Sequence, residues 1–361
     1  MAAVGRYSGG SNGGCGCAGG VSTTAIPRLV SYSLVCDEQR RHEHAYQFEL
    51  SVSSLRASNM RIPVVLFSHG PLAPEIAALC NRLGVMVAEQ GPYSDRLAAL
   101  SPRGGTAMAR YPLLHKNLNF AELAAAGVEQ VLCCDLDTIF FTDVEAIFDR
   151  YAGPDVVARE EVYSRRSVHG ADRAFIDEPL LEHLAHHVGR AVVPPINLGV
   201  VLYNHGVVGP LTAIMSTFVD DAWRLLTGLT VREFPNSHID DGATFPWMAD
   251  VRGHASDADR QRALPFPSNN GWIVDEVAWW LALGSVPGLT RADFDARDVA
   301  QNGEVLGTPH DRATWALCHY YSHNLTRVVE WLQHQTSHAT RPPSHPSHTS
   351  REEMPSTVLE R

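Results

Sequence analysis

Apolar residues in this chain gather in short unbroken runs, and several of the stretches between them repeat at helical spacing. Such runs read as strands buried on both faces, and such spacing as amphipathic helices. RLVSYSLVC from Arg28 and IPVVLFSHG (62–70) are the first two strand candidates. PEIAALCNRLG then predicts a short helix that starts at Pro74 and stops at Gly84, and GVMVAEQG a further strand. Within 110–130, Leu113, Leu114, Leu118 and Leu123 share a helical face that ends at Gly127 and feeds VLCCDLDTIFF (131–141). The first half of that stretch, Val131 to Cys134, is the pattern of a buried central strand. TDVEAIFDRY reads as a helix capped by Thr142 or Asp143, PDVVARE (154–160) as a short strand, and PPINLGVVLYN (194–204) as a strand entered by a Pro-Pro turn. An amphipathic helix over 210–227, a compact helix in WIVDEVAWWLALG and a strand-like run WALCHYYSHN (315–324) complete the pattern. Strands alternating with helices imply an α/β fold, a mainly parallel sheet covered on both faces by right-handed crossovers.

The ends lack this patterning. Residues 1–25, centred on GGSNGGCGCAGG, and 335–361, rich in Pro, Ser and His, are too poor in large apolar side chains to fold alone. They are expected to be disordered tails around a single domain over 26–334. His338, His345 and His348 in the second tail read as solvated. Inside the domain, 161–190 is charged and belongs on helices and loops over the sheet. The segment 228–272, dense in Pro, Gly, Asp and Trp, reads as a long functional loop.

Composition narrows the partners. With 29 basic against 40 acidic residues and a net charge of −11, the chain has no bulk positive field for a nucleic-acid backbone. An anionic substrate would need a local device such as a metal. No apolar stretch reaches the roughly 20 residues that span a bilayer. Four of the seven cysteines, Cys80, Cys133, Cys134 and Cys318, sit in apolar contexts that suit a reduced, cytoplasmic setting. Cys15 and Cys17 have no second pair at zinc-finger spacing.

The candidate chemistry starts at Asp135 and Asp137. Two apart at the end of a central strand, they lie where open α/β sheets bind ligands, and two adjacent carboxylates call for a cation or a proton between them. A divalent metal carrying phosphate oxygens is the natural partner. The plain alternative is a turn or a helix cap. Asp275 and Glu276 open a helix, where negative charge suits the dipole. Gly199 interrupts a strand, a sign of close approach by a ligand or another backbone.

Taken in order, Tyr32-Ser33-Leu34 near a strand end, SVSSLRAS, a basic helix followed by DLDTIF, INLGVVLYN, DEVAWW and CHYY resemble the nucleotide-diphospho-sugar glycosyltransferases of the GT-A fold, particularly family 8 and its relatives. The resemblance spans roughly residues 28–325. It implies a Rossmann-like, mixed and mainly parallel sheet flanked by helices, and transfer of a hexose from a nucleotide-diphosphate donor, a UDP-sugar by family default, to an acceptor. It further implies Mn²⁺ or Mg²⁺ held by Asp135, Asp137 and His319, with His323 as the rival third ligand. Ser33, Arg110, Lys116 and Asp135 would face the nucleotide, and Asn197 with Asp275 or Glu276 the donor sugar and acceptor. The chain departs from the family pattern at Leu136 and Leu198, where alanine is usual, and HYYSHN lacks the Gly and Lys that commonly follow the family's His-Tyr. DLDTIFFTD also resembles the nucleophile loop of haloacid-dehalogenase-like phosphatases, although there the motif lies on the first strand and Ile139 stands where Thr or Val is usual. A third reading is a GT-A-like module that binds a nucleotide sugar or a partner protein without catalysis.

Overall fold

A computed structural model describes residues 26–35, 40–102, 114–160, 196–228, 274–301 and 315–320, together with a few isolated positions. The expected tails, 161–190 and 228–272 fall almost wholly outside these residues, as do Arg110 and His323. Among the described residues ten strands form two sheets: β1 (Arg28–Val35), β2 (Val64–His69), β3 (Met86–Gln90), β4 (Gln130–Cys134), β5 (Thr138–Phe140), β6 (Val156–Glu160), β7 (Ile196–Tyr203), β8 (Arg291–Asp293), β9 (Val299–Gln301) and β10 (Leu317–His319). The larger sheet runs β3-β2-β1-β4-β7-β6-β8 and the smaller β5-β10-β9.

The expected fold class is what the structure has: a mixed, mainly parallel sheet flanked by helices. β1 pairs in parallel with both β2 and β4, and β2 with β3. The antiparallel member is β7, inserted between β4 and β6. From β1 the chain adds β2 and β3 on one side and then β4 on the other, so the winding order reverses between the parallel strands β1 and β4, whose carboxyl ends open the crevice in which such sheets bind ligands. Because β7 runs the other way, its first residues arrive at that same edge.

Alternate strand residues feed two cores. Leu29, Val65, Phe67 and Val131 pack on one face with the helices α3 (Tyr93–Leu100), α4 (Phe120–Ala125), α6 (Val208–Thr212), α7 (Met215–Gly228) and α8 (Val274–Leu283). Val30, Leu66 and Leu132 pack on the other with α1 (Arg41–Ser58), α2 (Pro74–Leu83) and α5 (Glu145–Arg150). Gly84 ends α2 in the left-handed region at φ 63°, as its position suggested. The N-cap position of α5 is Val144 and not Thr142 or Asp143, although Asp143 Oδ1 accepts the Glu145 N–H at 3.0 Å.

Elements absent from the sequence expectation include α3, β8 and β9, and three other differences bear on the site. The single helix expected over 210–227 is two, α6 and α7. The helix expected before β4 is a 3-10 turn over His115–Asn119 that continues into α4. Two braces hold that turn: Tyr93 Oη accepts the Leu114 N–H at 3.0 Å, and the Arg96 guanidinium donates to the Leu118 carbonyl. Helix α1 is an addition, and hydrophobic periodicity passes over it because its buried face carries Gln47 and Ser51 beside Phe48, Val52 and Leu55. Those polar groups have partners. Ser51 shares a 2.8 Å hydrogen bond with the Tyr32 hydroxyl, and the neighbouring Ser54 accepts the Phe140 N–H at 3.0 Å.

No described helix is long and apolar enough to cross a membrane.

Candidate metal centre at the sheet mouth

Asp135 is the first residue past β4. Its N–H donates to the Gly199 carbonyl at 2.8 Å, which ties it to the incoming end of β7. The chain then turns, and β5 leaves antiparallel to β10 with Thr138 opposite His319. That pairing sets Asp137 beside His319, and the Tyr320 N–H closes the turn on the Asp137 carbonyl at 3.0 Å. One ligand atom each from Asp135, Asp137 and His319 lies within 4.8 Å of the others. His319 Nε2 is 3.4 Å from Asp137 Oδ1 and 3.7 Å from Asp135 Oδ2.

β7 is irregular where it meets this cluster. Ala158 pairs with Val201 but Glu160 pairs with Ile196, so the four residues Asn197 to Val200 stand opposite Arg159 alone. Bulges of this kind re-aim side chains beside active sites. Within it, Asn197 Oδ1 accepts the Gly199 N–H at 2.9 Å, an Asx turn, and lies 3.0 Å from His319 Nδ1. Asn197 Nδ2 and the Leu198 N–H both donate to Glu276 Oε1 at 3.3 Å. Gly199 is the seat of the histidine ring: a Cβ placed there would stand within 2.5 Å of His319 Nε2. The close approach legible at Gly199 in the sequence is thus made by a side chain of the same protein.

Charge at the mouth is partly offset within the chain. Lys116 Nζ donates to Asp135 Oδ2 at 2.7 Å. Burial alone would lower the Lys116 pKa, but Asp135, Asp275 and Glu276 outweigh it and hold it above the usual lysine value. Burial would likewise raise the Asp137 carboxyl, yet His319 and then Lys116 hold it at about 2. For His319 burial favours the neutral ring, and Asp137 and Asp135 overcome it, raising the pKa. Asp275 goes the other way: burial, with Asp135 adding, pushes it to about 6 against the opposing pull of Lys116.

Ser33 lies at the same edge, at the end of β1. Its hydroxyl donates to the His115 carbonyl at 3.0 Å and accepts from Asn119 Nδ2 at 3.0 Å, stitching the Lys116-bearing turn to the strand. Around it stand His69 and His115, whose rings meet edge to face at 6.2 Å. Burial pushes the His69 imidazole down to about 4 and that of His115 well below its ordinary value. His69, His115 and Asn119 were passed over in the sequence reading; their one signal is position, at the end of a strand run and beside Lys116.

The structure thus brings together Ser33, Lys116, Asp135, Asp137, Asn197, Asp275, Glu276 and His319. Two carboxylates and an imidazole, the ring seated on a glycine, are a donor set that fits Mn²⁺ or Mg²⁺.

No family model matches the chain, and no curated protein sequence matches it. Solved structures do. Mouse xyloside xylosyltransferase 1 is 12% identical, with 81% of this chain and 97% of that one covered and a TM-score of 0.42. The galactosyltransferase LgtC, in complex with donor and acceptor sugar analogues, is 13% identical over 87% and 97%, with a TM-score of 0.42. The bifunctional glycosyltransferase WbbM is 12% identical over 84% of this chain, which spans 47% of that protein, with a TM-score of 0.46. All three are glycosyltransferases. At these identities and TM-scores the similarity decides no activity, which has to be argued from the mouth of the sheet itself.

Proposed function

We propose that this chain is a metal-dependent glycosyltransferase of GT-A type, moving a sugar from a nucleoside-diphosphate donor to an acceptor. The observation that carries the reading is the convergence of Asp135, Asp137 and His319 at the crevice between β1 and β4. These three would hold Mn²⁺ or Mg²⁺. Such an ion, when bound, neutralises the donor diphosphate and acts as a Lewis acid toward the departing nucleoside diphosphate. Lys116, fixed beside Asp135, adds a positive charge for phosphate oxygens, and Ser33 keeps the turn that carries it against β1. Asp275 is the carboxyl we assign to the sugar and acceptor side: with a pKa near 6 it can exchange a proton close to neutral pH. Arg110 is a further nucleotide contact in this reading, and a UDP-hexose the default donor. A phosphatase using Asp135 as nucleophile would leave His319, aimed at both carboxylates, without a role.

Thermal shift tests the proposal. UDP or GDP at about 100 times its dissociation constant stabilises a folded protein by about 2.7 kcal/mol. That stabilisation is expected with Mn²⁺, is expected to vanish in EDTA, and is expected to be lost in His319→Ala and Asp137→Asn. Equal stabilisation with and without metal, or unchanged variants, would refute the proposal; a BeF₃ adduct on Asp135 would favour the phosphatase.

A further inference from the structure

His319 has two ring nitrogens, and only one of them can serve the cluster of Asp135 and Asp137. Left to themselves, those carboxylates favour the wrong tautomer, because a hydrogen on Nε2 would face the negative oxygens Asp137 Oδ1 at 3.4 Å and Asp135 Oδ2 at 3.7 Å. A ring in that form offers no lone pair to a cation. The opposing influence is on the other side of the ring, where Nδ1 lies 3.0 Å from Asn197 Oδ1.

The orientation of the Asn197 amide follows from its other neighbours. The atom 2.9 Å from the Gly199 N–H faces a group that can only donate, so it is the oxygen. The atom 3.3 Å from Glu276 Oε1 faces an acceptor of the Leu198 N–H as well, so it is the nitrogen. Both ends give the same answer. With its oxygen fixed toward Nδ1, Asn197 requires the hydrogen there, which leaves the Nε2 lone pair pointing between the two carboxylates. The missing side chain at Gly199 keeps the ring in that plane.

We infer that Asn197 is a positioning residue: clamped by the Gly199 N–H and by Glu276, it sets the tautomer of His319 and so makes the imidazole a metal ligand. Resting on the metal reading above, this gives Asn197 and Glu276 a task other than lining the sugar. Outer partners of metal-bound histidines act in this way, and their loss typically weakens metal affinity by about 10–100-fold.

Mn²⁺ binding, followed by the electron paramagnetic resonance of the free ion, tests the inference. His319→Ala and Asp137→Asn define the full loss. Asn197→Leu, which removes the acceptor, is expected to bind Mn²⁺ about 10–100-fold more weakly than wild type. The same oxygen also closes the Asx turn, so a second variant separates positioning from folding. Asn197→Asp combined with Glu276→Gln keeps an acceptor for Nδ1, keeps one buried negative charge, and restores a donor between the two side chains. That double variant is expected to return Mn²⁺ affinity to within about threefold of wild type. Wild-type affinity in Asn197→Leu alongside a loss in His319→Ala overturns the inference and leaves the metal reading standing. A folded double variant that binds as poorly as His319→Ala also overturns it. Unchanged binding in both His319→Ala and Asp137→Asn removes the metal reading and this inference together.

Discussion

Replacing Gly199 by alanine tests the seat of the histidine ring directly. Gly199 is not among the glycines held at positive φ, so its backbone accepts alanine, and the whole perturbation is the added methyl. That methyl would stand within 2.5 Å of His319 Nε2, where ordinary carbon contacts are about 3.5–4.0 Å, so the ring has to retreat by at least about 1 Å. Its backbone cannot follow, because His319 is paired with Thr138 on one side and Gln301 on the other. Metal–ligand distances tolerate about 0.2 Å, so a shift of that size takes the imidazole out of the coordination shell. Overpacking costs about 1–3 kcal/mol. At about 1.5 °C per kcal/mol for a domain of roughly 300 residues, the melting temperature without added metal should fall by about 1.5–4.5 °C. Mn²⁺ affinity should fall at least about tenfold. Gly84→Ala is the matched control. Its Cβ would meet nothing within 4 Å, but its φ of +63° is strained for alanine, so it should lower stability and leave Mn²⁺ affinity alone. Wild-type Mn²⁺ affinity in Gly199→Ala, with a lowered melting temperature, would show that the ring seated there is not a ligand.

Two further outcomes follow from the charges around the mouth. Lys116→Ala removes the 2.7 Å bond to Asp135, a loss of about 1.5–3 kcal/mol, and the deficit should narrow under saturating Mn²⁺ because the ion supplies the missing positive charge; an equal deficit with and without Mn²⁺ would contradict this. His69 is neutral in the fold, its pKa pushed to about 4 by burial, whereas the unfolded chain takes up that proton near pH 6.5. Stability is therefore lost as the pH falls from 6.5 toward 4, by about 2–3 kcal/mol at pH 4.5. In His69→Gln the urea-derived stability profile should be flatter by that amount over this window, and profiles that run parallel to wild type would sink the assignment.

The inner strands β1, β2, β4 and β7 of the larger sheet were legible because burial on both faces writes them as continuous apolar runs, whereas the edge strand β8, three residues and partly exposed, left no such run. Helix α1 was not legible, since its buried face carries Gln47, bonded to Glu43 one turn earlier, and Ser51, whose partner Tyr32 only the fold supplies. In the smaller sheet β10 lies within the strand-like run 315–324, but its partners β5 and β9 have three residues each, too few for any period to register.

Asp135 and Asp137 were readable because their proximity is a matter of chain spacing at a strand end. His319 became a candidate through the order of motifs, and its distance to the carboxylates is created by the antiparallel pairing of β5 with β10. Asn197 is the clearest division. Its place in an otherwise apolar strand made it stand out, and the resemblance to the GT-A glycosyltransferases pointed it at a sugar. What it touches was decided by the bulge in β7, by the ring resting on Gly199 and by Glu276 arriving from α8, contacts between segments far apart in the chain. Local patterning determines which segments become strands and helices because burial and backbone hydrogen bonding act on neighbouring residues. The tautomer of a histidine depends on what stands at both of its nitrogens, and here those neighbours meet only when the two sheets are assembled.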